Sequence, residues 1–217
     1  MTDYSSLQSL MIAAIFLSAV LLHLTKKNSS AILLYFIQSL AIGILLFRPL
    51  AENFSLIILL MAGLTLAIKA VIAPLFFLRL VKRNQLKFSS STYLNTPLTL
   101  VVIVILAALT NSRIFSHIAS IEPASQKILS LAIAVILISF FLIINRKGAI
   151  SQIIGILSLE NGIVAFAVFS GLEQSPILQI GIMFDLLVWV IIAVVFISMI
   201  YRQFGSLDVT VLKHLKE

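Results

Sequence analysis

Three ionisable residues stand inside apolar runs, where a charge is costly. Lys69 lies in Leu66-Ala67-Ile68-Lys69-Ala70-Val71-Ile72-Ala73-Pro74, Glu160 in Ser158-Leu159-Glu160-Asn161-Gly162, and Asp185 in Ile180-Gly181-Ile182-Met183-Phe184-Asp185. On insertion scales, a charged side chain at the centre of a membrane helix costs about 2.5–3.5 kcal/mol. Residues kept at that cost face protein or water rather than lipid, and they commonly mark a proton or ion path. Two carboxyls and an amine provide groups that bind and release protons. Two other roles fit the same residues: a Lys–carboxylate pair that only neutralises itself, and contact with a charged group on another subunit.

Depth brings the carboxyls together. Glu160 lies about eleven residues from one end of its apolar run, roughly 16 Å deep at 1.5 Å per residue. Asp185 lies about nine residues from the opposite face, roughly 14 Å in. Both depths fall near the middle of a core about 30 Å thick. The short connection 171–176 makes the two carrier helices antiparallel neighbours, so Glu160 and Asp185 can form two steps of a proton relay. Lys69, also about nine residues in, is either a further titrating site or a counter-ion to a carboxylate.

The elements that position these groups are seven apolar runs, each close to the roughly 20 residues that a membrane helix needs: 7–24, 31–47, 54–78, 94–109, 128–144, 149–170 and 177–201. They predict an all-α membrane helix bundle of about seven transmembrane helices. Loops one, three and five and the C-terminal tail carry eleven basic residues: Lys26, Lys27, Arg79, Lys82, Arg83, Lys87, Arg146, Lys147, Arg202, Lys213 and Lys216. The other side carries Arg48, Arg113 and Lys127. Basic residues gather on the cytoplasmic side, so the N-terminus is expected outside and the C-terminus in the cytoplasm. Lys26 and Lys27 follow the first run instead of preceding it, the reverse of a secretory signal, so this run reads as a retained helix.

Composition supports the same class. The chain is 61% hydrophobic and 11% charged, whereas soluble domains are about a quarter charged. The net charge of +7 flanks apolar segments and forms no patch with interleaved aromatics, so it reads as membrane topology and not as nucleic-acid binding. There is no cysteine, hence no disulfide scaffold and no thiolate site for zinc or an iron–sulfur cluster. The three histidines have no metal-ligand spacing. No phosphate loop or nucleophile–base pattern marks an active site on this chain. Among weaker signals, His23 reads as an interfacial residue. Gln38 and Gln179 read as interhelical hydrogen-bonding groups, and Gly155, Gly162 and Gly181 as close helix contacts. Ser151, Gly155 and Ser158 are small residues near Glu160 that could admit water. Trp189 reads as a packing residue.

Ser158-Leu159-Glu160-Asn161-Gly162, Ile180 through Asp185, and Phe204-Gly205-Ser206-Leu207-Asp208-Val209 in the basic tail resemble component E of the hydrogenase-four type. That family comprises membrane subunits of proton-pumping [NiFe] hydrogenase and formate hydrogenlyase complexes. The Ile68–Pro74 segment resembles the family's Lys-containing helix. The last three helices are also similar to the three-helix ND4L-type subunit of respiratory complex I and to the C subunit of Mrp-type antiporters. Those subunits carry one carboxylate in the second helix and one in the third, the places of Glu160 and Asp185. Asp185 is one methylene shorter than the family's glutamate.

The resemblance implies a single membrane domain with a four-helix part (1–126) and a three-helix ND4L-like part with a short tail (127–217). It implies a non-catalytic subunit of an oxidoreductase complex in the cell inner membrane. Its partners would be antiporter-like and other membrane subunits, with nickel–iron and iron–sulfur centres on those other chains and no cofactor here. Glu160 and Asp185 would serve as relay carboxylates with Lys69 as their partner. The alternatives are a subunit of a related cation/proton antiporter, a stand-alone secondary transporter, or a scaffold in which the charges only pair. The chain shows no strong internal repeat of the kind common in transporters.

Overall fold

The computed structural model describes residues 2–47, 56–83, 85, 91–119, 122, 125–171 and five positions between 191 and 201. Within hydrocarbon the backbone has no water to bond with, so it must satisfy its own N–H and C=O groups, and among the described residues it does so as helices. These are α1 (Thr2–Leu24), α2 (Asn28–Leu46), α3 (Leu56–Leu66), a π-helical segment (Ala67–Ile72), α4 (Ala73–Arg83), α5 (Thr96–Leu109), α6 (Arg113–Ala119), α7 (Gln126–Asn145) and α8 (Ala149–Phe169). Five described segments are long and apolar enough to cross a membrane: Ser6–Leu24, Asn28–Leu46, Ala62–Arg83, Gln126–Asn145 and Ala149–Phe169. The chain is an all-helical membrane bundle.

The expected seventh span coincides with residues mostly outside the described set, and so do Gln179, Gly181, Asp185, Trp189 and the tail. Ile191, Val195, Ile197, Met199 and Tyr201 are helical, and Ile197 is fully buried against the neighbouring core.

Three local features go beyond the seven-run reading. The third span is continuous from α3 through α4 but widens to a π turn over Ala67–Ile72. Pro74 explains the widening: it has no N–H, and its ring crowds the carbonyl four residues earlier, that of Ala70, so an ordinary α turn is disfavoured there. The fourth run forms only the 14-residue α5, roughly 21 Å long against a core of about 30 Å. It starts at Asn95, whose side chain accepts from the Leu98 N–H, and ends in tight turns at Asn111 and Ser112. A further short helix, α6, follows in what read as loop.

α2 is central. It packs against α1, α8 and the broken third span, while α7 and α8 pair along their length. That pairing needs small residues: a Cβ added at Gly155 would stand 2.8 Å from Cγ1 of Ile143. The expected close contacts at Gly155 and Gly162 are therefore present. Ser158, expected near Glu160, shares a 2.8 Å hydrogen bond with Ser139 of α7.

The core divides into two apolar clusters. One holds Ile12, Ile15, Ala41, Ile42, Leu45, Val135, Ile138, Val164, Ala165 and their neighbours. The other holds Leu22, Ile32, Tyr35, Phe77, Leu80, Leu142, Ile150, Ile154 and Leu157 among others. Along α2, α7 and α8 the switch from one cluster to the other falls at polar positions: Gln38 and Ser39, Ser139, and Ser158 with Asn161. All five are buried.

Candidate functional site

The polar belt between the two clusters is where Lys69 lies. The π segment carries its side chain into the bundle, where it is 1% exposed. Its Nζ stands 2.9 Å from Oε1 of Glu160 and donates to Oδ1 of Asn161 at 3.1 Å. Asn161 in turn donates from Nδ2 to Oγ of Ser39 on α2 at 3.3 Å. Four residues earlier on the same face of α2 lies Tyr35, fully buried. Gln38, next to Ser39, donates to the Ile15 carbonyl of α1 at 3.1 Å, which is the interhelical bond expected of it.

Three spans thus meet at one ion pair. A buried ammonium needs both a counter-charge and acceptors for its remaining protons, and consecutive residues of α8 supply these: the Glu160 carboxylate and the Asn161 amide. Glu160 is less enclosed than its partner, with a side chain 23% exposed. Of the residues expected at the site, Lys69 and Glu160 come together, and Asp185 is outside the described residues. Sequence reading missed Asn161, Ser39 and Tyr35. Asn161 sat beside Glu160 and was read only as part of a motif. Ser39 and Tyr35 carry no signal beyond polarity on a face of an apolar helix.

A second polar assembly ties the rim formed by loops one, three and five. Tyr93 N–H donates to the Asn145 carbonyl, Lys147 N–H to the Ser91 carbonyl, and Leu94 N–H to Asn145 Oδ1. Arg146, 4% exposed, donates from Nη2 to the carbonyls of Leu22, His23 and Thr25 at 2.7, 2.9 and 2.7 Å. It thereby caps the C-terminus of α1, where helix carbonyls lack intrahelical partners. Burial pulls its guanidinium below the ordinary arginine pKa. His23, expected at the interface, is instead buried: its ring stacks on Phe141 and Nε2 lies 3.0 Å from the Ile138 carbonyl. Its place at the end of α1 is as expected, but α7 covers it. The joining of three odd loops on one rim agrees with the charge count that put them on one side.

Among the described residues no group of three or more His, Cys, Asp or Glu side chains is arranged to hold a metal ion.

Comparison with known proteins places the site in context. The chain is 29% identical over 153 residues to the uncharacterized protein Rv0085 of Mycobacterium tuberculosis, an alignment covering 70% of each chain. No solved structure matches the chain. Residues 127–217, from the start of α7 onward, match the family model of NADH-ubiquinone/plastoquinone oxidoreductase chain 4L, so that Glu160 falls on the second helix of a chain 4L-like segment.

Proposed function

We propose that this chain is a membrane-arm subunit of a proton-translocating complex related to respiratory complex I, of the hydrogenase-four or formate hydrogenlyase type, in the cytoplasmic membrane with its odd loops inward. The observation that carries the reading is the mid-membrane Lys69–Glu160 pair, with Glu160 on the second helix of the chain 4L-like segment. A charge pair at such depth is expensive, and a π turn at the lysine is a feature frequently found at functional sites. The partial exposure of Glu160 suits a carboxyl that exchanges protons with a neighbouring subunit or with water. The finer assignment to the hydrogenase-four type rests on the Glu-Asn-Gly and Gly-Ser-Leu-Asp motifs.

In this reading electrons travel through nickel–iron and iron–sulfur centres on other chains, and this chain holds neither. A proton arriving on Glu160 removes the counter-charge of Lys69, which keeps Asn161 as its acceptor. Loss of that proton restores the pair. Asp185 acts as the second relay carboxyl on the seventh span. Antiporter-like subunits are the neighbours, and the basic third loop and tail contact them or anionic lipid.

The ion pair itself favours a second reading, a scaffold in which Lys69 and Glu160 only neutralise each other. Mild-detergent purification through a tag on this chain, followed by mass spectrometry, tests membership of a complex. Co-purifying hydrogenase and antiporter-like subunits are expected. A chain that purifies alone and monodisperse would make an independent transporter the better reading. The double variant Lys69→Met with Glu160→Gln, which leaves no isolated buried charge, then separates relay from scaffold: a scaffold still couples electron transfer to proton movement, a relay does not.

A further inference from the structure

Where loops one, three and five join, they border an open cavity of about 620 Å³ lined by His23, Leu24, Thr25, Lys26, residues 91–96, Thr99 and Arg146. Its wall mixes apolar and polar groups, with two basic side chains and no carboxylate among the described residues. A third basic group is close by: Lys147 Nζ stands 4.9 Å over the ring of Tyr93, itself a lining residue. Three of the polar lining side chains are more than nine-tenths buried, His23 at 6% exposed, Thr99 at 2% and Arg146 at 4%. Because His23 Nε2 faces a carbonyl, it carries the ring proton, and Nδ1 is left as a buried acceptor with no hydrogen-bond partner, suited to a hydroxyl and not to an anion's oxygen. The N-terminus of α5, the positive end of that helix, opens on the same space.

A pocket with net positive charge and no carboxylate favours an anion. Its depth narrows the choice. It lies at the ends of α1, α5 and α7, level with the membrane surface. Exposed Leu17, Leu21 and Leu24, on one face of α1, run from it into the apolar zone. We infer that this cavity binds the phosphate of an anionic phospholipid, whose acyl chains lie along the exposed leucines of α1. Basic pockets between membrane helices on the cytoplasmic side recognise such headgroups. The lipid would close the joint between the N-terminal helices and the chain 4L-like segment, since its pocket takes residues from both.

Native mass spectrometry of the full chain in mild detergent tests this, with phosphatidylglycerol and phosphatidylcholine of matched acyl chains as probes and inorganic phosphate as competitor. The expected result is selective retention of phosphatidylglycerol, weakened about fivefold by removing one positive charge in Lys26→Gln. Thr96→Trp, which fills the cavity from an exposed position without changing charge, should weaken it as well. Millimolar phosphate should not displace the lipid. Equal retention of both lipids overturns the proposal, as does a preference unchanged in both variants. Displacement by inorganic phosphate overturns it in favour of a soluble-anion site.

Discussion

Asn161 accepts from Lys69 at 3.1 Å, one residue along the chain from the Glu160 carboxylate that the same ammonium approaches at 2.9 Å. The lysine is thus held by a charged and a neutral acceptor on consecutive residues of one helix, and only the charged one can titrate. This makes the contributions of charge and of geometry separable by substitution.

Glu160→Gln keeps the size of the side chain and leaves Lys69 buried without its counter-charge. Removing one partner of a buried pair costs about 3–5 kcal/mol. The pair Lys69→Met with Glu160→Gln should recover most of that loss, because no isolated charge remains. Thermal denaturation of the unmodified chain, the two single variants and the double variant in one detergent measures it, and a double variant no more stable than Glu160→Gln alone would contradict the pairing.

Asn161→Ala removes the second acceptor of Lys69 and the donor to Ser39 together. Each buried group left without a partner costs about 1–3 kcal/mol. We expect a lowered melting temperature with Glu160 still present, and in membrane vesicles a reduced rate of proton translocation at unchanged assembly. Equal melting temperatures would show that the amide orders nothing.

Gly155→Val should loosen the pairing of α7 and α8, since the added carbon meets Ile143. Overpacking of this kind costs about 1–3 kcal/mol. Gly63→Ala is the matched control: nothing lies within 4 Å of a Cβ there, so the yield of folded protein should hold or rise slightly. Size-exclusion profiles of the two variants give the comparison.

Asn145→Ala breaks two ties, the acceptor for Leu94 N–H and the donor to Thr99 Oγ1. The 91–95 segment should then become accessible to protease at a concentration that leaves the unmodified chain intact. Cleavage mapped by mass spectrometry to that segment is the expected outcome.

Because the chain has no cysteine, single cysteines report sidedness without background. Lys26→Cys, Ser91→Cys and Lys147→Cys should react with a membrane-impermeant maleimide from one and the same side, the cytoplasmic one. Labelling of any one of the three from the opposite side would break the odd-loop rim.

Much of the fold was legible because the bilayer imposes one rule on every segment: an apolar run of sufficient length must become a helix. The runs 7–24, 31–47, 128–144 and 149–170 lie within or close to helices of the same order, and the basic loops forecast the common rim. What the pattern could not give were details decided by neighbours. Hydropathy counts residues and does not report turn width, so the π turn before Pro74 was invisible, as was the short α6 at the end of α5. His23 looked interfacial because it ends an apolar run; α7 happens to cover it. Lys69 and Glu160 stood out because charge is rare in such segments. Tyr35, Ser39 and Asn161 did not, because neutral polar residues are common enough there to carry little information.

The cap on α1 has a consequence in time. Arg146 lies 124 residues beyond Leu22 in the chain. At roughly 5–20 residues per second, the ribosome adds the arginine about 6–25 s after the carbonyls that it will bind. Through that interval the end of the first helix must rest on water at the headgroup level. Closure of the rim is therefore a late event in biogenesis, one that waits for the segment resembling chain 4L to emerge and fasten the earlier helices in place.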